Sequence, residues 1–345
     1  NALPVANLDT PATNEFLWTV QPFPTRFARI RVESVLDPTN LYGVSPDFNI
    51  AGVKMLSPKA GDKWIKGSLT NSLIWTHQSA GSTARLKFSY DGGNTYTDVA
   101  PFSVNLSDFA FPYTPVIPTV RGVGRIDADD PSPFTNVWAT SDTNVYMTVA
   151  GILMQAPTNG AVYTIGTVND VKWISAGSED PLGQGRIYYA SDGANFTNLI
   201  ATVGNNQAFP GGNTYNWPVS PLTEPSANAR LRVESGGFTH ETPTFTVRGI
   251  RINQPVAGAA LTIGGNAPIA WKQAGLSPDA AVNLQLSTDG GLTWDPTPLN
   301  AVPWPANAEV FGWSPVTPSA DPTTNAMTRM TVVSSSIAND IGYEA

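Results

Sequence analysis

The chain of 345 residues contains no cysteine and only two histidines, His77 and His240. The absence of cysteine excludes disulfide frameworks, thiolate metal sites and cysteine nucleophiles. No motif joins either histidine to a nucleophile, and a Ser-His-Asp triad or a histidine-based metal site needs more partners than the sequence offers. We therefore expect both histidines to be surface or strand residues, and we expect no catalytic set.

Charged residues are also scarce, at 13% of the chain against a usual share of about 25%. The formal net charge is −8, and no basic patch is present that could neutralise phosphates, so the sequence argues against nucleic acid as a partner. No apolar run is long enough to span a bilayer. The abundant Thr, Ser, Asn, Gly and Pro are typical of an extracellular or cell-surface β-rich protein.

A tryptophan recurs at a fixed interval, at positions 75, 173 and 271, and its surroundings recur with it. Each copy follows a Pro-x-x-Gly pattern and precedes an Asp-Gly turn, at Asp91, Asp192 and Asp289. Such self-similarity indicates an array of similar units. The period is close to the length of one β-sandwich domain, roughly 100 residues.

Apolar residues alternate over short stretches separated by turn residues, as they do in half-buried strands. One full unit contains seven such stretches, so the sequence predicts an all-β tandem array of seven-stranded immunoglobulin-like or fibronectin-like sandwiches. We expect the recurring Trp75, Trp173 and Trp271 to lie in the cores, with a glycan-stacking platform as the alternative.

The array begins and ends with partial units. The sixth-strand sequence R-L-R-V-E-S at 230–235 has a near copy, R-I-R-V-E-S, at 29–34. We therefore predict the second half of a unit at 1–52, full units at 53–151 and 152–249, and a unit at 250–345 that lacks its last strand. The partial units indicate a segment of a longer array, and donor-strand assembly between chains is the alternative.

The predicted joints are short, because Gly52, Gly151 and Gly249 each end one unit and the next begins at once. No Pro/Ser-rich linker intervenes. We expect the units to form a semi-rigid line.

The hairpin sequences S-Y-D-G-G-N-T-Y at 89–96 and S-T-D-G-G-L-T-W at 287–294 resemble the Asp-box of sialidase-like propellers, and Asp192 lies in a degenerate copy. In that family the motif is structural and lies away from the catalytic site. Propeller blades recur at about 40–50 residues, so the resemblance is confined to the hairpin. We expect a structural role for Asp91, Asp192 and Asp289.

Asp127, Asp129 and Asp130 form the one tight carboxylate cluster, in a long loop after a sixth strand. Hard oxygen ligands at alternate positions suit Ca²⁺, and a solvated acidic loop is the alternative. We expect no other cofactor. The same loop carries Phe134 and Trp138, which either cover the sandwich end, contact a neighbouring subunit or stack on sugar.

Asn105 and Asn195 each match the N-glycosylation acceptor pattern. In a chain this rich in Asn, Ser and Thr, a few such matches arise by chance.

Taken together, the repeats resemble the tandem immunoglobulin-like regions of microbial cell-surface proteins of the S-layer, sheath or filament type. The resemblance implies a non-catalytic structural protein whose main partner is itself. An adhesin or carbohydrate-binding array is the second reading. The third is a set of accessory modules of a larger secreted hydrolase.

Overall fold

A computed structural model describes residues 15–130, 137–178, 183–205, 209–316, 322–340 and 344. These residues form 27 β-strands and three short 3-10 helices, with no α-helix among them. The all-β prediction is confirmed. Within the same residues no helix could span a membrane.

The chain divides into two compact units, Asn1–Ala150 and Gly151–Ala345. The first unit begins with two separate strand pairs, β1 with β4 and β2 with β3. Their bounds are β1 Thr25–Ala28, β2 Arg31–Glu33, β3 Tyr42–Val44 and β4 Phe48–Ile50.

A complete β-sandwich follows in the first unit. Its strands are β5 Gly52–Ser57, β6 Lys63–Ile65, β7 Ser72–Gln78, β8 Thr83–Ser89, β9 Thr97–Asp98, β10 Val104–Asn105, β11 Ala110–Pro112, β12 Thr119–Ala128, β13 Trp138–Thr140 and β14 Met147–Ala156, of which residues 147–150 belong to this unit. One sheet has the order β5-β7-β11, and the other has the order β10-β8-β12-β14. The short strands β9, β13 and β6 extend the second sheet by pairing with β8, β12 and β14.

The second unit holds two further sandwiches. Its strands after β14 are β15 Val162–Thr164, β16 Val168–Ala176, β17 Gln184–Ala190, β18 Asn198–Gly204, β19 Asn213–Pro218, β20 Ser226–Ser235, β21 Phe238–Glu241, β22 Phe245–Gln254, β23 Ala267–Ala274, β24 Ala281–Ser287, β25 Trp304–Pro305, β26 Val310–Trp313 and β27 Met327–Ser334. The sheet orders are β14-β16-β19 and β18-β17-β20-β22 in one sandwich, and β22-β23-β26 and β25-β24-β27 in the next.

The strands form where apolar residues alternate, because one face of each sheet is buried in its sandwich. In β24, Val282, Leu284 and Leu286 are at most 5% exposed, while the residues between them are half-buried. Each sandwich of the second unit has its own core cluster around one tryptophan, Trp173 or Trp271. In β24, therefore, alternation in the sequence and burial in the fold agree.

The N-terminal strands repeat the register of a complete sandwich. Thr25 pairs with Ile50 and Ala28 with Phe48, with a bulge between the two pairs. The second sandwich pairs Ser226 with Val247 and Ala229 with Phe245, also with a bulge. The contacts divide the chain only into two units, so the four-part division remains a prediction.

Candidate functional site

The Asp91 hairpin is closed by a network of hydrogen bonds centred on the carboxylate. The Thr95 backbone N–H and hydroxyl donate to Asp91 at 2.9 and 2.6 Å. The Ser89 hydroxyl donates to Asp91 at 2.7 Å and accepts the Gly93 N–H at 2.8 Å. Burial acts to raise the pKa of Asp91, but the hydrogen bonds from Thr95 and Ser89 hold it at about 2.

The Asp289 hairpin repeats this network. Thr293 donates from its backbone N–H and hydroxyl at 2.9 and 2.6 Å, and the Ser287 hydroxyl donates at 2.7 Å. The Thr293 side-chain and backbone hydrogen bonds lower the pKa of Asp289 to about 2. A carboxylate that is held by this many donors is a turn-forming group and is poorly suited to acid-base catalysis.

The middle copy is a different turn. Its Asp192 accepts the backbone N–H groups of Ala194 and Asn195 at 2.9 and 2.8 Å, and these bonds lower its pKa. The position of Ser89 and Ser287 is taken by Ala190, so the bridging hydroxyl is missing. This copy therefore keeps the Asp-Gly corner without the serine that joins the two ends of the motif.

The Asp91→Ala variant is expected to lower the free energy of unfolding of the first unit by about 2 kcal/mol, because a buried carboxylate with several donors is removed. The folded pKa is lowered, so this stability is present above about pH 4 and is lost as the pH falls towards 2. Chemical denaturation at pH 7 and pH 3 measures both effects. Asp192→Ala, which removes a solvent-exposed carboxylate, should cause a smaller loss; equal losses would contradict the account.

The recurring tryptophans lie in the three cores. Trp75, Trp173 and Trp271 are 1%, 0% and 2% exposed. Each indole Nε1 donates a hydrogen bond, to the Leu106 carbonyl at 2.9 Å, the Asn205 side chain at 2.7 Å and the Ala306 carbonyl at 2.7 Å, respectively. Buried rings of this kind offer no surface to a sugar.

An arginine stacks on each hairpin from one equivalent position of β12, β20 and β27, which are the sixth strands of their repeat units. In the strand register, Arg125 lies opposite Lys87, Arg232 opposite Tyr188 and Arg329 opposite Gln285. Each of these register partners lies four residues before the hairpin aspartate. The three guanidinium groups lie over the aromatic residue that ends the hairpin, at 5.3 Å from the Tyr96 ring, 4.4 Å from Phe196 and 4.6 Å from Trp294. The motif therefore extends beyond the hairpin to a cation–π contact with the neighbouring strand.

The same arginines form ion pairs on the outer face of the sheet. Arg125 pairs with Asp127, and Arg232 with Glu234. In the N-terminal piece Arg31 pairs with Glu33 and lies 4.4 Å from the Tyr42 ring centroid. Sequence reasoning missed the stacking role of this arginine position. The repeated R-x-R-V-E-S signal at 29–34 and 230–235 contains it, as Arg31 and Arg232.

The expected acidic loop is partly strand, because Asp127 lies in β12, and basic side chains of the protein pair with Asp127 and Asp129. Asp127 contacts Lys87 at 2.9 Å and Arg125 at 2.6 Å, and Asp129 lies 3.6 Å from Arg85. Asp130 is exposed. In the described ranges no group of three or more His, Cys, Asp or Glu residues could hold a metal ion. Calcium at this loop stays a prediction, and these contacts do not favour it.

Trp138 is 53% exposed on β13, and the Arg125 guanidinium lies 4.7 Å from its ring centroid. Arg125 therefore contacts both Trp138 and Tyr96. The other aromatic residue of this loop, Phe134, lies outside the described residues.

The two histidines take part in packing and backbone contacts. His77 stacks on Phe109 with 5.4 Å between ring centroids, and burial lowers its pKa. His240 Nδ1 accepts the Met154 backbone N–H at 3.2 Å.

The two glycosylation acceptor positions differ in their hydrogen bonds. Asn105 is exposed at the start of a 3-10 helix and makes no side-chain cap hydrogen bond there. The Asn195 amide donates to the Asp192 carboxylate inside its turn. Of the two side chains, Asn105 is the more open to modification.

The chain matches no protein-family model and no curated protein. Among solved structures it is similar to the fibronectin(III)-like modules of CbhA from Clostridium thermocellum, with 14% identity over 56% of this chain and 93% of that one, at a TM-score of 0.18. It is also similar to the I9–I11 tandem of titin, with 10% identity over 81% of this chain and 94% of that one, at a TM-score of 0.20. Both similarities are too distant to assign a partner or an activity.

Proposed function

We propose that the chain is a non-catalytic structural protein of a cell surface, which self-assembles into a layer or filament built from immunoglobulin-like repeats. The described side chains support this proposal, because their hydrogen bonds and ion pairs stabilise turns, the faces of strands and the joint between sandwiches. The hairpin aspartates, the recurring tryptophans and the sixth-strand arginines are all engaged inside single sandwiches. The low content of charged residues favours an extracellular location.

The observation that carries the proposal is the joint inside the second unit, where one strand serves two sandwiches. Residues 245–247 of β22 pair with β20, and residues 249–254 pair with β23 of the following sandwich. A strand that is hydrogen-bonded at both ends cannot act as a flexible linker. Such a joint suits a structural protein whose successive sandwiches must keep a fixed spacing under mechanical load.

A buried ion pair strengthens this joint. Arg248, at the centre of β22, contacts Asp340, whose side chain is fully buried. Asp340 also accepts the Ser277 backbone N–H at 2.9 Å and the Ser335 hydroxyl at 2.8 Å. The segment after β27 is therefore tied to the last strand of the preceding sandwich.

Sedimentation velocity of the purified chain over a concentration series tests the proposal. We expect the share of species larger than the monomer to grow with protein concentration, because association follows mass action. A stable contact between copies buries about 1,000 Å² or more of surface. A single monomeric boundary at every concentration would argue against self-assembly.

A carbohydrate-binding array is the second candidate, and the half-exposed Trp138 beside Arg125 is the observation that favours it. Exposed aromatic rings present an apolar face to a ligand while a polar group fixes its orientation. Affinity electrophoresis in gels that contain cell-wall polysaccharides distinguishes the two functions. Retardation that is lost in Trp138→Ala would favour the second candidate.

A further inference from the structure

The acceptor pattern for N-linked sugar occurs twice in the chain, as N-L-S at 105–107 and as N-F-T at 195–197. In an exported protein the asparagine of this pattern receives a glycan on its amide nitrogen Nδ2. Such a site therefore needs an Nδ2 that is open to solvent and an accessible hydroxyl two positions later. The two sites of this chain differ in both respects.

The acceptor of the second site is engaged in a turn. The Asn195 amide nitrogen donates to the Asp192 carboxylate, and the Asn195 backbone N–H donates to the same carboxylate at 2.8 Å. The middle residue, Phe196, lies under the Arg232 guanidinium at 4.4 Å from its ring centroid. A sugar on this nitrogen would crowd the turn, so we expect Asn195 to stay unmodified.

The first site presents both of its polar side chains to solvent. Asn105 and Ser107 are exposed, whereas Leu106 between them is fully buried. The Leu106 carbonyl accepts the indole N–H of the core residue Trp75 at 2.9 Å. The buried leucine therefore fixes the segment to the core, and the acceptor amide and the hydroxyl face outward.

Asn105 also lies on an edge strand of a complete sandwich. In the described ranges β10 pairs only with β8, and Asn105 lies opposite Thr83. The next N–H, that of Leu106, donates to the Ser82 carbonyl at 2.9 Å. Because successive N–H groups of a strand point to opposite edges, the Asn105 N–H points away from β8 and towards the open edge.

The last sandwich carries a proline at the equivalent position. Pro305 ends the edge strand β25, and its φ of −58° and ψ of 126° resemble the −71° and 131° of Asn105. A 3-10 helix follows at once in each sandwich, at Leu106–Asp108 and at Ala306–Ala308. Proline on an edge strand removes a donor with which a further strand would pair. One of the two edges is thus blocked by its own sequence.

We propose that Asn105 carries an N-linked glycan, which protects the open edge of β10 as Pro305 protects the edge of β25. Open edge strands pair with other chains, and natural proteins block them with proline, with charge or with a cover. A glycan is bulky and solubilising, and it therefore provides such a cover. Its anchor lies three residues after Phe102, an aromatic side chain that is 64% exposed.

The transfer needs a sugar that is activated at its anomeric carbon by a phosphate or pyrophosphate bound to a lipid carrier. The Asn105 Nδ2 forms a bond to this carbon and loses one proton. The bond between the carbon and the phosphate oxygen breaks, and the carrier leaves with the electron pair. Because such donors serve exported proteins, the inference rests on the proposed cell-surface location.

Peptide mapping of the full-length protein from its natural source tests the modification. Trypsin releases residues 88–121 as one peptide and residues 187–230 as another, and these peptides hold one site each. We expect tandem mass spectrometry to find hexose or N-acetylhexosamine on Asn105 and none on Asn195. An unmodified Asn105 overturns the inference. Sugar on both asparagines would contradict the protection that the Asp192 turn gives to Asn195.

Substitutions at Ser107, made in the natural host, test whether the sugar depends on the acceptor pattern. Ser107→Ala keeps the asparagine but removes the hydroxyl of the pattern, so it should abolish the mass increase on Asn105. Ser107→Thr is the matched control, because it keeps a hydroxyl at the same position and should keep the sugar. Sugar that persists in Ser107→Ala would contradict N-linked transfer to this site.

Two substitutions of Asn105 itself test the protection of the edge. Asn105→Gln removes the sugar and leaves the edge open, so we expect light scattering to show several-fold faster aggregation on mild heating. Asn105→Pro also removes the sugar but reproduces the arrangement at Pro305. The φ of −71° suits proline, and the N–H that is lost faces the open edge. We expect this variant to stay as soluble as the parent chain.

The outcomes separate the glycan from the proposed function. Circular dichroism checks that both Asn105 variants remain folded. If Asn105→Gln stays as soluble as the parent chain, or if folded Asn105→Pro aggregates as fast as Asn105→Gln, the protective role is wrong. Sedimentation velocity decides self-assembly separately, so an unmodified Asn105 overturns the inference and leaves the proposed function standing.

Discussion

Replacement of Trp173 by alanine is expected to lower the free energy of unfolding of the second unit by about 3–5 kcal/mol. The indole is fully buried at the centre of its core cluster, so its removal leaves a cavity that the surrounding strands cannot fill. It also takes away the donor that binds the Asn205 side chain at 2.7 Å. Asn205 is only 4% exposed, and a buried amide without its partner adds to the loss.

Differential scanning calorimetry measures this effect independently of tryptophan fluorescence. Trp138→Ala is the control, because it removes the same side chain from a site that is 53% exposed. We expect the control to change the stability far less than Trp173→Ala. Similar losses in both variants would show that the recurring tryptophan is not the centre of its core.

The second large effect is expected at the joint. Asp340→Asn keeps the shape of the side chain but leaves the Arg248 cation, which is 15% exposed, without its carboxylate. Loss of one partner of a buried ion pair typically costs about 3–5 kcal/mol, and the residual exposure of Arg248 favours the lower end of that range. Calorimetry of the second unit should show the loss.

The same ion pair makes the joint sensitive to acid. Burial acts to raise the pKa of Asp340, but the hydrogen bonds from Ser277 and Ser335 and the contact with Arg248 lower it below its ordinary value. A lowered pKa in the folded state means that this stability is present above about pH 4 and is lost at lower pH. Asp340→Asn should abolish that part of the pH dependence.

The exposed pair of Arg29 and Asp47 provides the control for this prediction. Asp47→Asn should leave the unfolding temperature nearly unchanged, because solvent screens an exposed ion pair. An Asp340→Asn variant as stable as the parent chain would mean that the buried pair does not hold the joint.

Periodicity in the sequence predicted the all-β fold because the core of each sandwich depends on local alternation. Val282, Leu284 and Leu286 alternate in the sequence and are buried in the fold. The Asp-box hairpins could be predicted from the sequence equally well, because their hydrogen bonds join residues two to four positions apart.

Contacts between distant strands were harder to predict. Arg125 and Tyr96 are almost thirty residues apart, and the loops between them vary in length among the repeats. Arg248 and Asp340 meet across 92 positions, and no motif marks either residue. Such pairs depend on strand order, which local patterns do not encode.

The acidic loop illustrates the same limit. Spacing alone made Asp127 and Asp129 candidates for calcium ligands. The neighbouring strand β8 places Lys87 against Asp127 and Arg85 against Asp129, and these cations precede the aspartates by 40 and 44 positions. The sequence pattern shows which ligands are present, but only the sheet shows which charges face them.

Electron microscopy of the purified full-length chain, with and without a calcium chelator, tests self-assembly most directly. We expect ordered filaments or sheets that persist when the chelator is added, because Asp127 and Asp129 are paired with basic side chains. Filaments that dissolve on chelation would instead indicate that Asp127 and Asp129 bind calcium. Dispersed single molecules at all concentrations would contradict the structural role.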